Sequence, residues 1–553
     1  MKKSVTDIIA VIALGSVLFL PLLGGVHLFD WDEINFAEAA REMLLTDEYL
    51  RVQINYHPFW EKPPMFIWLQ ALSMHFFGVD EYAARFPNAI CGILTLLTLF
   101  ILGKRHFDRR FGWFWVLAYC GSILPQLYFK SGIIDPWFNL LIFLGIYHLT
   151  IFAYQREKVG KVKEKVIQPN LILLLLAGAF IGLAILTKGP AAYLIVGLVL
   201  GVNWLIERLR FFISVPQFLL FTLVAAAVPG VWFASDILEN GWWFTRTFTA
   251  YQWRLFSTPD AGHGGFFGYH FVVLLVGCFP ASLLALAAFR KSNLTGYRAY
   301  FRRFMLILFW VVLLLFSVVQ SKIVHYSSLC YFPLTFLAAL TWQRLDKGEM
   351  KVSHRLLGSI AFFGILFGAV TAAIPLFGQN IDLLKPLFAA DPFALANLDA
   401  EVEWTGRESN AGIFLIVITL LSVFFFRKKQ IGKGGLILFV GTAIFVQLTL
   451  IFFINRIENY SQRAAVEFYQ SIATEDAYVA TVGFKSYAHL FYSAKKPGGD
   501  PRARDINWLL HGDDLDKSAY FVTKIHRRER LDKEPNLEYL HEKNGFVFYR
   551  RKR

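Results

Sequence analysis

Three carboxylates occupy four positions directly after the first long apolar run of the chain. The stretch reads Phe29-Asp30-Trp31-Asp32-Glu33. Asp30 and Glu33 have the spacing of a capping box for a helix from about residue 33 to 45, and this structural role weighs as much as a chemical one. One cap needs one acceptor, so Asp32 is left over. It can act as a base or stabilise positive charge, which makes it the first candidate catalytic residue.

An acid and a base stand side by side in the next polar stretch, Phe59-Trp60-Glu61-Lys62-Pro63-Pro64. The two prolines end any preceding helix and remove two N–H donors. Neighbouring residues of an extended segment point to opposite sides, so Glu61 and Lys62 are not expected to pair with each other. Lys62 is either an interfacial lysine that reaches lipid headgroups or a cation held for a phosphate.

Later polar stretches repeat this mixture of acids and bases. Asp135-Pro136 fits an N-cap with proline at the first helical position. A carboxylate drawn into lipid costs about 3 kcal/mol, however, so such residues usually line a wet cavity. Glycines around His263 free the backbone and bury nothing, which favours a ligand or acid–base role over a core histidine. Further candidates in these stretches are Lys188, Arg254, Lys322 and Tyr326.

Mixed carboxylates and cations of this kind are typical of a site for a phosphate that is joined to a polar group. The chain has no P-loop pattern G-x-x-x-x-G-K-[S/T], which argues against ATP as the energy source. Asp30-Trp31-Asp32 matches the DxD pattern of soluble transferases that use nucleotide sugars. A lone DxD is a weak signal. The distribution of basic residues also predicts that this stretch lies on the outer side of the membrane, where nucleotide sugars are absent. A polyprenyl-phosphate sugar would be both activated and delivered by the membrane.

Long apolar runs must position these residues. The 553-residue chain is 56% hydrophobic and 17% charged, with a mean hydropathy of +0.47, whereas soluble domains are about 25% charged. A helix that spans a membrane needs about 20 mostly apolar residues. Thirteen such runs predict an α-helical polytopic membrane protein, with spans near 7–25, 86–102, 111–129, 136–155, 170–187, 189–206, 211–235, 267–289, 304–321, 323–343, 356–378, 410–426 and 434–455.

Basic residues are concentrated in alternate loops between these runs. The clusters lie at 2–3, 104–110, 156–165, 208–210, 290–303, 344–355 and 427–433. The positive-inside rule then predicts a cytoplasmic N-terminus and an outer C-terminus. Counting the run 63–79 as a span would break this alternation, so we expect it in or near the interface. Because the basic residues lie in short loops, the net charge of +14 does not indicate nucleic-acid binding.

The chain divides into two predicted parts. Residues 1–455 form a transmembrane domain whose first outer loop, 26–85, carries the chemistry, and residues 456–553 form a soluble outer α/β domain. Strand-like runs in the latter are Tyr478–Phe484, Ala519–Ile525 and Gly545–Tyr549, after a helix-like run Glu458–Ile472. All cysteines fall in apolar runs without a CxxC pair, so we expect buried packing residues. They are Cys91, Cys120, Cys278 and Cys330.

The candidate residues resemble those of the GT-C superfamily of membrane glycosyltransferases. The similarity is strongest to the ArnT-type aminoarabinose transferases and the bacterial dolichyl-phosphate-mannose–protein mannosyltransferase-like proteins (glycosyltransferase families 39 and 83). The similarity covers residues 1–345. This chain differs from the aminoarabinose transferases in having a second proline, Pro64, and a weakly similar tail. These differences leave the identity of the donor sugar and of the acceptor open. The segments that carry it are Asp32-Glu33, Ala40-Arg41-Glu42-Met43, Glu61-Lys62-Pro63, Phe77-Gly78, Ala84-Arg85, Asp135-Pro136, Thr187-Lys188-Gly189 and Ser321-Lys322 with Tyr326.

The resemblance implies a GT-C fold and inverting transfer of a sugar from a polyprenyl-phosphate carrier. The acceptor would be a lipid A-like or other envelope molecule at the periplasmic face of the inner membrane. Asp32 and Asp135 are implied as catalytic carboxylates, and Lys62 as the residue that holds the donor phosphate. Glu61 and His263 match residues that can hold a divalent metal ion. The residues implied to assist at the donor phosphate are Arg254, Lys188, Lys322 and Tyr326.

Alternative acceptors and an alternative class stay open. Transfer to Ser or Thr of a protein, as in the mannosyltransferases, needs a general base for the hydroxyl. A phosphate acceptor is already an anion, so Asp32 would then orient it or stabilise the positive charge of the sugar. A transporter of lipids or sugar lipids would show repeat symmetry and charges at mid-membrane, whereas these charges crowd one face.

Overall fold

A computed structural model describes residues 2–159, 170–257, 264–289 and 293–552. Within these ranges the chain is mostly helical. The helices are α1 Lys2–Phe19, α2 Asp32–Thr46, α3 Met65–Phe77, α4 Glu81–His106, α5 Arg109–Cys120, α6 Ile123–Leu127, α7 Asp135–Val159, α8 Leu171–Lys188, α9 Ala191–Ile206, α10 Val215–Asn240, α11 Trp243–Ser257, α12 Tyr269–Gly277, α13 Ala281–Ala288, α14 Gly296–Val318, α15 Tyr331–Asp346, α16 His354–Gln379, α17 Pro392–Asn397, α18 Ser409–Arg427, α19 Ile431–Thr449, α20 Asn455–Asn459, α21 Arg463–Ser471, α22 Ala488–Tyr492, α23 Ile506–His511 and α24 Glu529–Asp532. The strands are β1 Gln53–Ile54, β2 His57–Pro58, β3 Tyr478–Val482, β4 Ala519–Lys524, β5 Glu538–Lys543 and β6 Phe546–Arg551.

The prediction of a polytopic membrane protein is confirmed. In the described ranges, 8 helices are long and apolar enough to cross a membrane, and the pair α12 and α13, bent by 112°, raises the number to 9. Four of the thirteen predicted spans fall on shorter helices, namely α1, α5 with α6, α9 and α15. The count of thirteen therefore stays a prediction.

The run 63–79, expected at the interface, forms α3. Its 13 residues reach about 20 Å as a helix, less than the hydrocarbon thickness of about 30 Å. Pro64 occupies the N-cap position, and Gly78 ends the helix with a φ of 90°, a conformation that favours glycine. This length agrees with the expected interfacial position.

The first outer loop folds into α2, the hairpin β1–β2 and α3. The predicted helix over 33–45 corresponds to α2, but the predicted capping box is wrong. Trp31 is the N-cap residue, and no side chain caps the helix there. The side chain of Glu33 instead turns to Arg85, with 2.8 Å between the two groups, because both are buried and each needs a partner of opposite charge.

The C-terminal region contains a four-stranded sheet in the order β3-β4-β6-β5. Strands β3 and β4 are parallel, and β6 pairs with both β4 and β5 in antiparallel fashion. The three predicted strand-like runs correspond to β3, β4 and β6. The fourth strand, β5, was not predicted. It is an exposed edge strand, Glu538–Lys543, and most of its positions are polar, so it lacks an apolar strand pattern. The predicted helix over 458–472 is interrupted at Tyr460–Gln462.

The first outer loop and the C-terminal region share one apolar core. It joins residues of α2 and α3, such as Phe36 and Phe66, to Phe468 of α21 and Phe548 of β6. The four cysteines are free and buried elsewhere in the protein, as expected for packing residues. Because of the shared core, the C-terminal region holds the loop that carries the candidate carboxylates.

Candidate functional site

A single cavity of about 890 Å³ collects most of the predicted residues. It lies where the first outer loop meets the ends of α7 and α8, the helix α11 and the segment before α15. Seven of the nine candidates line it: Asp32, Glu61, Lys62, Asp135, Lys188, Arg254 and Tyr326. Helix ends and loops position all of them, which leaves the helix bodies to pack against one another or against lipid.

Asp135 is the first residue of α7, and its carboxylate does not cap that helix. Oδ1 accepts a hydrogen bond of 2.6 Å from Nζ of Lys188, the last residue of α8. Oδ2 has no hydrogen-bond partner among the described residues, although the side chain is 4% exposed. The N-cap interpretation of Asp135 is thus replaced by an ion pair between two helix ends at the cavity wall.

His325 connects the two candidate catalytic carboxylates. Its Nε2 lies 3.6 Å from Oδ2 of Asp32 and 3.7 Å from Oδ2 of Asp135. The predicted site residues include the neighbouring Tyr326 but not this histidine. Its position in the Ser321–Tyr326 turn was the only available signal, because nothing in the sequence shows that this turn reaches the first outer loop.

Two cations flank one aromatic ring on another side of the cavity. Nζ of Lys62 lies 5.2 Å from the ring centre of Tyr251, and Cζ of Arg254 lies 5.2 Å from the same centre. Removal of Lys62 from solvent lowers the pKa of its ammonium, and the carboxylates of Asp32 and Glu61 oppose that shift. Cations stacked on a ring keep N–H donors for an anion, which fits the predicted role of Lys62 at a phosphate.

Lys188 contacts both a carboxylate and an aromatic ring of the cavity wall. Its ammonium pairs with Asp135 and also lies 5.0 Å from the ring centre of Tyr326. A lysine that already balances a buried carboxylate is a weaker phosphate ligand than Lys62, because its charge is partly neutralised within the protein. Tyr326 therefore lines the cavity as part of this packed group.

Lys322 requires a correction. It is not among the residues that line the cavity. Its Nζ donates to the carbonyl oxygens of Phe316 and Ser317, at 3.1 and 2.7 Å, and to that of Val319 at 2.5 Å. These carbonyls stand at the C-terminal end of α14, where acceptors lack partners and a positive charge is favoured. The geometry makes Lys322 a cap of that helix and does not support the predicted contact with phosphate.

The predicted metal ligands fare differently from each other. Glu61 lines the cavity, whereas His263 lies outside the described residues. Within the described ranges, no three His, Cys, Asp or Glu side chains are grouped as metal ligands would be. Because His263 is outside these ranges, the divalent-ion site stays a prediction.

The C-terminal region also reaches the cavity, a contact that no sequence pattern predicts. Lys485, in the loop after β3, lines it together with Trp31 and Asp32. Nζ of Lys485 lies 4.4 Å from the ring centre of Trp31. The indole of Trp31 in turn packs on the ring of Tyr487, with 5.2 Å between the centres.

The chain is similar in sequence to known membrane glycosyltransferases. The family model of the dolichyl-phosphate-mannose-protein mannosyltransferases matches residues 61–233. The undecaprenyl phosphate-alpha-4-amino-4-deoxy-L-arabinose arabinosyl transferase of Pectobacterium carotovorum is 27% identical over 381 residues, or 67% of this chain and 65% of the relative. The corresponding protein of Shewanella sediminis is 26% identical over 67% of this chain and 66% of the relative. The matches thus span just under two thirds of the length of these relatives.

Solved structures share the architecture over nearly the whole chain. ArnT from Cupriavidus metallidurans bound to undecaprenyl phosphate has a TM-score of 0.76 and 17% identity, and the match covers 99% of this chain and 98% of that one. Its apo state gives a TM-score of 0.75 with the same coverage. The predicted GT-C fold and the resemblance to the ArnT-type proteins are confirmed.

Proposed function

We propose that this chain, a multi-pass membrane protein with the fold of ArnT, is a glycosyltransferase that takes its sugar from a polyprenyl-phosphate carrier. The observation that carries the proposal is the convergence of acids and bases from distant segments on one cavity. Lys62 and Arg254 present cations to it, and Asp32 and Asp135 present carboxylates. The relatives named for undecaprenyl phosphate-linked aminoarabinose support the carrier class.

The proposed reaction is one displacement at the anomeric carbon of the sugar. The bond from that carbon to the phosphate oxygen breaks, and its electron pair leaves with the phosphate. An oxygen of the acceptor supplies the electron pair of the new bond, so the configuration is inverted. The ammonium of Lys62 and the guanidinium of Arg254 stabilise the charge that develops on the leaving phosphate, and such fixed charges act most strongly where water is excluded.

Asp32 works at the other end of the displacement. With a hydroxyl acceptor, its carboxylate receives the proton that the nucleophile loses. With a phosphate acceptor no proton needs to leave, and Asp32 stabilises the positive charge on the sugar. His325 lies within 3.7 Å of both Asp32 and Asp135, so it keeps the two carboxylates in one arrangement in either case.

The acceptor in this proposal is a lipid A-like molecule of the envelope. The full-length match in fold to ArnT and the similarity to the arabinosyl transferases over 67% of the chain favour it. A second candidate is transfer to Ser or Thr of proteins, which the mannosyltransferase family model over residues 61–233 favours.

The cavity in this proposal opens on the periplasmic side of the inner membrane, with the N-terminus in the cytoplasm. Reporter fusions ending near Arg210 should then report cytoplasm. Fusions ending near Gly241 or Asn536 should report the outside. A cytoplasmic signal from the Asn536 fusion would contradict the orientation, because the C-terminal region and the first outer loop pack together.

The direct test of the proposed function combines envelope analysis with purified protein. Mass spectrometry of lipids and proteins from cells with and without the chain should show one glycosylated species that depends on it. The purified protein should then form that species from a polyprenyl-phosphate sugar. A sugar on lipid A supports the first candidate and a sugar on Ser or Thr the second, whereas no transfer to either would refute the proposal.

A further inference from the structure

The loop between β3 and α22, residues 483–487, packs directly on the segment that carries the candidate catalytic carboxylate. Tyr487 stacks on Trp31, the residue before Asp32, with the rings inclined by 33°. Nζ of Lys485 lies 4.4 Å from the ring centre of Trp31 and 5.8 Å from that of Tyr487. Burial raises the pKa of the Tyr487 hydroxyl, and the nearby carboxylates of Glu61 and Asp30 add to that shift. This loop therefore stands at the chemical site.

Several contacts hold this part of the C-terminal region in place. The hydroxyl of Tyr492 accepts from the backbone N–H of Leu28 at 2.6 Å, and His27 pairs with Glu458 at 2.6 Å. Gln462 accepts from the N–H of Asp30 at 3.2 Å and donates to the carbonyl of Leu28 at 2.6 Å. These contacts fasten the segment that leads into Asp32 to the C-terminal region, and loop 483–487 packs on the same segment through Tyr487 and Trp31.

Three of the cations that line the cavity are held by groups of the protein: Lys188 by Asp135, Arg85 by Glu33 and Lys130 by the carbonyl of Pro21. The other lysines and arginines of the lining form two groups. Lys62 and Arg254 share the ring of Tyr251, whereas Lys485 lies on Trp31, beside Asp32. Among the described residues, Lys485 has no carboxylate within salt-bridge distance, and its side chain is exposed to the cavity. An ammonium fixed on an aromatic ring keeps N–H donors for an incoming anion.

We propose that loop 483–487 is an acceptor subsite, in which Lys485 binds an anionic group of the acceptor next to the attacking oxygen. The ligand class is a phosphate monoester carried on a lipid. The inference rests on the proposed function: the donor phosphate occupies the Lys62 and Arg254 side, so a second, separate cation near Asp32 serves the other substrate. It assigns the C-terminal region a part in choosing the acceptor.

The test compares variants of the full-length protein in nanodiscs, with lipid A and with the same lipid A after phosphatase treatment as acceptors. Lys485→Gln should raise the KM for phosphorylated lipid A about 10- to 100-fold, the usual weight of a charge-assisted contact. The KM for the donor should stay unchanged. Lys485→Arg should retain most of the affinity, and Lys485→Glu should lose more than Lys485→Gln because it adds repulsion.

Lys496→Gln is the matched control, since Lys496 is an exposed lysine of the same region that does not line the cavity. It should behave like the unaltered protein. Three outcomes would overturn the subsite. They are an unchanged acceptor KM in Lys485→Gln, an equal rise of the acceptor KM in Lys496→Gln, and an equal rise in Lys485→Gln with the dephosphorylated lipid.

A binding measurement separates this inference from the proposed function. Native mass spectrometry of the unaltered protein should show preferential binding of phosphorylated over dephosphorylated lipid A, and Lys485→Gln should abolish the preference. If the unaltered protein transfers no sugar but shows this preference, the proposed function fails and the anion subsite stands. If it transfers sugar and binds both lipids equally, the subsite fails and the function stands.

Discussion

Asp32 and Glu33 are adjacent in the sequence and have opposite environments in the structure. The side chain of Asp32 is 34% exposed, and the basic side chain within ion-pair distance of it is His325, at 3.6 Å. The residue Glu33 is 4% exposed. Its carboxylate accepts from two nitrogens of Arg85, at 3.0 and 2.8 Å, and from the backbone N–H groups of Phe29 and Gly132.

The difference separates a carboxylate kept for chemistry from one used for structure. The lone pairs of Glu33 are occupied, so a substrate has nothing to bind there. Arg85 is also saturated, since it donates to the carbonyls of Leu23, Val26 and His27. Asp32 keeps lone pairs directed at the cavity. In this loop, the carboxylate that the fold leaves incompletely paired is the one available for function.

The largest effect is expected for Asp32→Asn. Loss of the charge should lower turnover with a hydroxyl acceptor by about 10²–10⁴-fold, while the melting temperature stays unchanged because Asp32 makes few contacts within the protein. Sugar transfer and thermal unfolding of the purified variant measure both. Turnover above about a tenth of the unaltered rate would remove Asp32 from catalysis, and retained transfer to a phosphate acceptor alone would identify Asp32 as a base.

Glu33→Gln should show the reverse pattern. Removing one partner of a buried ion pair leaves Arg85 uncompensated and costs about 3–5 kcal/mol of stability. The melting temperature in detergent should fall strongly, and the activity per folded molecule should change little. A stable but inactive Glu33→Gln protein would break the comparison, since it would place Glu33 in the chemistry as well.

Lys62→Ala should weaken binding of a polyprenyl-phosphate sugar about 10- to 100-fold, as expected for loss of a charged contact. Folding should be unaffected. Lys62→Arg should restore only part of the affinity, because a planar guanidinium does not replace a point charge. Normal turnover of Lys62→Ala at limiting donor would exclude Lys62 from the phosphate site.

The pH dependence of donor binding gives a second test of Lys62. Binding needs its ammonium form, and burial places its pKa below the ordinary 10.5. Affinity should therefore fall as the pH rises through this lowered value, at a lower pH than for an exposed lysine. The Lys62→Arg variant should stay charged and keep its affinity over the same range. Equal pH profiles of the two proteins would show that another group titrates.

The smallest effect is expected for Lys322→Gln. If the lysine only caps α14, donor affinity should not change, and stability should fall by about 0.3–1 kcal/mol. A loss of donor affinity comparable with that of Lys62→Ala would restore the role inferred from the sequence. Isothermal binding of the donor and thermal unfolding, measured side by side, decide between these outcomes.

Much of the candidate site was predictable because charged residues between apolar runs are disfavoured in lipid and therefore gather at the membrane surface or in a polar cavity. Asp32, Lys62, Asp135 and Lys188 were identified in that way and line one cavity. Lys322 was chosen by the same argument and was misjudged, because sequence does not show that carbonyls at the end of α14 lie within reach of its ammonium. The capping box failed for a similar reason, since a buried Arg85 competes for Glu33.

The class of protein and the set of polar segments available for chemistry follow from the amino-acid sequence alone. Hydropathy and charge are properties of each residue and its neighbours along the chain, so membrane spans and polar loops can be predicted from them directly. Three features follow from the folded arrangement instead: Glu33 is the saturated carboxylate, His325 joins Asp32 to Asp135, and Lys485 reaches the same cavity. Those outcomes depend on contacts between residues at least 52 positions apart, where packing and burial select the partner. No local pattern in the sequence records that selection.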